Sequence, residues 1–281
     1  MNKQLTALSI LIFSVFLIIN TGCRKKVNPN QDNLSKVESV SDSANFNYSG
    51  IKEQIKILAK KLNEPKDITL LLNEAGASYI ADITLPVEYL DKPISNDKMS
   101  FYWGMYIFDM LYAKTYNRED QFLKLRENEN KLKMNLGLSG ELNEIEKYNE
   151  RIKINKDNSD SVNTIIEEAS EVWFKQMADN HTNTLIYSIV GNNVEALYIL
   201  TQLTLLASDN SKLLTIVNEQ HSQINTLFSL IEIIKDDVNI KTLYDDLNKV
   251  SDIFKNNPSI TVKELNEIAP KIEIIRNKIL N

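Results

Sequence analysis

Between Phe101 and Tyr116 the chain reads FYWGMYIFDMLYAKTY, with an apolar or aromatic residue at nearly every position and one acid, Asp109, inside the run. A helix built from such a stretch has almost no solvent face, so it must be surrounded by other elements on all sides. The rest of the chain therefore has to supply a shell of amphipathic partners.

A second run of the same kind extends from Leu185 to Ala207 and also holds one acid, Glu195. The two echo each other. Trp103-Gly104 is followed by Asp109-Met110-Leu111-Tyr112, and Val190-Gly191 by Glu195-Ala196-Leu197-Tyr198. A glycine inside a helix costs about 1 kcal/mol relative to alanine, which calls for a packing reason. The spacing predicts that the two helices, about 98–116 and 185–207, cross at Gly104 and Gly191. Asp109 and Glu195 would then share a low-dielectric region where an unpaired carboxylate either protonates or finds a partner. The candidate partners are Tyr112, Tyr198, Arg151 and His181.

The shell is legible as helical periodicity. Ile51, Ile55, Leu58 and Leu62 lie on one face, and Ile68, Leu71, Leu72 and Ala75 on the next, with Gly76 placed to end it. Pro65, Pro86 and Pro93 mark breaks. Val162, Ile165, Ile166, Ala169, Val172 and Trp173 form a clean stripe. A single long helix is expected from Leu213 to Ile231. The last helix opens with the capping box Thr261/Glu264 and should kink or stop at Pro270. With only 7 glycines and 6 prolines in 281 residues, and no period-two alternation, the expected fold is an all-α bundle of about ten helices around the two apolar ones.

The N-terminus has a different character. Lys3, an apolar run from Leu5 to Ile19 and then Asn20-Thr21-Gly22-Cys23 read as a charged start, a short hydrophobic region and a small-residue cleavage site. The run is about 15 residues, short of the ~20 needed to span a bilayer as a helix. Gly22-Cys23 resembles the lipobox of bacterial lipoproteins, with Asn20 where an aliphatic residue is usual. The resemblance implies cleavage before Cys23 and acylation of its thiol. Residues 1–22 are thus expected to be a signal peptide and Cys23 a membrane anchor. Residues 23–47, rich in Asn, Ser, Asp and Lys, form a tether reaching ~25–30 Å as a flexible coil, and 48–281 form the helical domain. Arg24 does not match the aspartate that retains lipoproteins in the inner membrane of enteric bacteria, so the expected address is the outer membrane, facing the periplasm.

The stretches WGMYIFDMLYAKTY, YNERIKINKDNSDSVNTII and IVGNNVEALYILTQL, in that order, resemble a family of helical lipoproteins from Bacteroidota with no assigned activity. The resemblance implies an all-α, membrane-anchored protein. It directs attention to Asp109, Arg151, Asn155, Asp160, Glu195 and Tyr198 without giving any of them a chemical role.

Several functional classes find no support. The net charge is −6 and the only compact basic cluster is Arg24, Lys25 and Lys26, which argues against nucleic acid. The two histidines, His181 and His221, lack partners at metal-ligand spacing, so neither a metal nor another cofactor is expected. His221 reads as a solvated residue, and Glu167-Glu168 and Asp236-Asp237 as solvated acidic faces. Hydrolase elbows and phosphate loops are absent. The leading expectation is a non-catalytic module that binds an unidentified protein or small molecule. The alternatives are an enzyme or ligand-binding protein using an Asp109/Glu195 pair and a purely structural envelope protein. The candidate buried polar cluster is Asp109, Tyr112, Arg151, Glu195 and Tyr198.

Overall fold

A computed structural model describes residues 47–62, 68–86, 94–156 and 158–281. The expected signal peptide, Cys23 and the tether up to residue 46 lie outside these, as do Pro65 and Pro93. The fold is all-helical, and the described residues form α1 Lys52–Leu62, α2 Ile68–Glu74, α3 Asn96–Thr115, α4 Glu119–Asn135, α5 Ser139–Ile154, α6 Ser159–Asn180, α7 Thr182–Leu206, α8 Ser211–Glu219, α9 His221–Ile233, α10 Val238–Asn256 and α11 Val262–Leu280, with a 3-10 turn at Ala81–Ile83. No described helix is long and apolar enough to cross a membrane.

The two apolar runs are the centre. Every residue of α3 from Met99 to Ala113 is buried, and α3 and α7 form the most extensive helix–helix contact. α4 covers α3, α11 packs on α7 and α10, and α9 joins α10 to α1. The crossing is set by the two glycines. A Cβ on Gly104 would stand 1.8 Å from the Ser188 carbonyl oxygen, and one on Gly191 would stand 2.2 Å from that of Phe101. The backbones therefore touch directly, and Asn192 Nδ2 reinforces the contact by donating to Gly104 O at 3.1 Å. Both helices start earlier than their apolar runs. Ser95 caps α3 by accepting from Lys98 N–H, and α7 begins straight after His181, the single residue separating it from α6.

Four local expectations need correction. The long helix expected across 213–231 is divided at Gln220 into α8 and α9. There His221, expected in solvent, places its ring nitrogens 2.7 Å from Asn218 O and 3.0 Å from Asn257 O, tying the break to the end of α10. Pro270 neither stops nor divides α11. It lies on the exposed side, so the Asn266 carbonyl that loses its donor faces water rather than the core.

The fourth is Asp237, expected as part of a solvated face and found almost wholly buried. Its Oδ1 accepts from the Asn239 and Ile240 amides, capping α10. Its Oδ2 accepts from the hydroxyls of Tyr48 at 2.9 Å and Tyr187 at 2.7 Å. One carboxylate thus joins the segment preceding α1 to α7 and α10. Asp237→Ala removes a helix cap and the carboxylate oxygen that accepts from both the Tyr48 and the Tyr187 hydroxyls. It is expected to destabilise by about 2–4 kcal/mol in urea unfolding, whereas Asp236→Ala should change stability by less than about 0.5 kcal/mol.

Candidate functional site

The glycine crossing sets the position of the acids. Asp109 lies five residues after Gly104 on α3 and Glu195 four after Gly191 on α7, and both are completely buried. Glu195 is held by Arg276 of α11 in a two-pronged pair, with Nε donating to Oε2 at 2.7 Å and Nη2 to Oε1 at 2.8 Å. The guanidinium also lies 4.3 Å from the centre of the Tyr198 ring, adding a cation–π contact. Planar, two-pronged pairing of this kind suits arginine and excludes a lysine substitute.

Asp109 is placed differently. Its Oδ2 accepts from Leu85 N–H at 2.7 Å, while Oδ1 meets no donor. Burial raises its pKa well above the usual carboxylate range, and the neighbouring Glu195 carboxylate raises it further. Burial raises Glu195 as well, but the hydrogen bonds and charge of Arg276 and a hydrogen bond from Asp109 oppose this. Arg276 thus works mainly against the rise at Glu195, and Asp109 is the acid of the pair more strongly disposed to keep a proton. A proton on Asp109 gives its otherwise orphaned oxygen a role, which a buried polar atom requires.

The cluster is roofed by residues 78–86, which leave α2 through Gly76, whose φ of +84° an L side chain would resist. Tyr112 hydroxyl accepts from Ile80 N–H at 3.0 Å and donates to Ser78 O at 3.2 Å. Tyr106 hydroxyl donates to Pro86 O at 2.9 Å, and Arg276 Nη2 donates to Ile83 O at 3.3 Å. Tyr79 packs on Tyr112 with ring centres 4.6 Å apart. Burial, with Asp109 nearby, pushes its hydroxyl up to about 12.

The structure thus brings together Asp109, Glu195 and Tyr198, with Tyr112 beside them under the roof. It does not bring in Arg151. That residue is on the surface, paired with Glu168 and stacked on Tyr148, and Asn155 beside it donates to its carbonyl. His181, also considered as a partner, serves as the α6–α7 junction. The partner missed is Arg276, and its signal is readable: Ile268, Ile272 and Arg276 succeed one another at i, i+4 and i+8, placing a charge inside the apolar stripe of α11. Glu129 repeats the signal on α4, four residues after Leu125. It is buried, accepts from Trp103 Nε1 at 2.9 Å and lies 2.8 Å from Lys133 Nζ.

Among the described residues no group of three His, Cys, Asp or Glu side chains is arranged to hold a metal ion. A shallow surface groove of about 410 Å³ runs between α1 and α6, over Ile57, Val172 and Phe174, away from the acids. Comparison with protein-family models, curated proteins and solved structures finds no match.

Proposed function

We propose that this chain is a lipid-anchored helical binding module of the bacterial envelope, held by Cys23 on the outer membrane with its domain in the periplasm. The observation that carries the non-catalytic part is the condition of the acid pair. Both carboxyls are removed from water, Glu195 is paired with Arg276, and Asp109 accepts from the Leu85 amide. A general acid or base must instead reach its substrate within hydrogen-bond distance. Internal pairing of this kind favours a scaffold that fixes how α3, α7 and α11 meet.

The anchor rests on the sequence: Cys23 is the only cysteine and stands where the short apolar run ends, after Gly22. Several acyl chains, each contributing about 0.8 kcal/mol per buried methylene, hold such a protein on a membrane without a spanning helix. The test is the mass of the N-terminal peptide from membrane-purified protein. A peptide beginning at Cys23 and carrying acyl chains is expected, and Cys23→Ala should abolish the modification. An unmodified cysteine, or a chain retaining residues 1–22, contradicts the anchor.

A further inference from the structure

Residues 78–86 are held in an unusual way. The hydrogen bonds that fix them to the helices all run from helix side chains to strap backbone: Tyr112 to Ile80 N–H and Ser78 O, Arg276 to Ile83 O, Asp109 to Leu85 N–H, and Tyr106 to Pro86 O. Tyr106, Asp109 and Tyr112 are three apart in sequence and form one row along α3. They meet the strap in reverse order, so the strap runs antiparallel to the helix. Ile80 and Thr84 have extended backbone on either side of the 3-10 turn. The one strap side chain that is buried is Leu85, 2% exposed, while the others are half-buried or exposed. A surface segment normally leaves much of its backbone to water, whereas here a row of donors and acceptors reads it. Main-chain hydrogen bonds with a pocket for one side chain are how peptide-binding grooves work.

We propose that Tyr106, Asp109, Tyr112 and Arg276 line a binding groove for an extended peptide with one aliphatic anchor, and that residues 78–86 are its built-in occupant. The inference deepens the binding-module reading and is independent of the anchor. The strap competes with any incoming peptide, so apparent affinity falls by the fraction of molecules in which the groove is vacant. Displacement exchanges one set of backbone hydrogen bonds for an equivalent set and leaves the Glu195–Arg276 pair in place.

The probe is a fluorescein-labelled synthetic peptide of the sequence Ala77–Pro86, titrated against the full-length chain by anisotropy. Leu85→Asp, which removes the strap's anchor, is expected to bind it at least ten-fold more tightly than the wild-type chain. Methylating the peptide's leucine amide removes the donor to Asp109 and should weaken binding about ten-fold. Replacing every side chain but that leucine with alanine should change it less than about three-fold. A folded Leu85→Asp chain that leaves the anisotropy unchanged, or binding indifferent to the methyl group, overturns the proposal. Hydrogen exchange on the wild-type chain decides the matter even where the variant fails to fold. The Ile80 and Leu85 amides should exchange by local opening, ahead of α3 and α7, and exchange only with global unfolding would mean the groove is never vacated. Failure here with an acylated Cys23 sinks the groove alone, and an unmodified Cys23 with peptide binding intact sinks the anchor alone.

Discussion

Gly104→Ala is expected to destabilise the folded chain by about 3 kcal/mol or more. The new methyl would sit 1.8 Å from the Ser188 carbonyl oxygen, and the surrounding atoms are backbone that cannot rotate away. Relief requires α3 and α7 to separate, which weakens the largest contact in the bundle and displaces Asp109 from Glu195. Gly191→Ala meets Phe101 O at 2.2 Å and should behave likewise. Because both enlarge the same interface, the double variant should fall short of the sum. Gly50→Ala, with nothing within 4 Å, is the control and should stay within about 0.5 kcal/mol. Urea unfolding of the four chains measures all of this.

Glu195→Gln and Asp109→Asn should separate sharply even though the residues are neighbours. The first removes the counter-charge of Arg276, itself only 8% exposed, and leaves a buried guanidinium without its carboxylate. A loss of about 3–5 kcal/mol is expected. Asp109→Asn replaces the acid that burial disposes to hold a proton with a neutral amide whose oxygen can accept from Leu85 N–H, so stability at pH 7 should be equal or higher. The pH profile carries the sign. A carboxyl whose pKa is raised by folding contributes its stability fully below the unfolded value, about 3.9, and loses it as pH rises through the folded value. The wild-type chain should therefore lose stability relative to Asp109→Asn as pH rises above about 4. A parallel pair of profiles would place the ionised form on Asp109.

The all-helical architecture and the glycine crossing were legible because each rests on local pattern. Sixteen apolar-rich positions around Asp109 leave a helix nowhere to go but the centre, and a glycine within such a run marks a close approach. The partner of the acids was harder to read for a physical reason. Arg151 stands in one of the stretches that carry the family resemblance, but the residue that reaches Glu195 is 81 positions away on α11. Only the interruption of the Ile268–Ile272 stripe by Arg276 announces it. Asp237 was misread because Asp236-Asp237 looks like one solvated pair, whereas a cap position turns the second carboxylate inward and leaves the first outside. The strap was read only as a Pro-marked connection. Its backbone contacts from α3 come from Tyr106, Asp109 and Tyr112, whose hydroxyls and carboxyl are invisible as a row until α3 is seen with this irregular neighbour.

The division of charge in the buried pair is the centre of this account, and infrared difference spectroscopy reads it directly. At pH 7 the wild-type chain minus Asp109→Asn should show the carbonyl band of a protonated carboxylic acid, unshifted by salt and shifted by deuterium exchange only slowly, as expected of a group with no exposed surface. Carboxylate bands alone in that difference, with no protonated carbonyl, would mean Asp109 is ionised beside Glu195 and contradict the account.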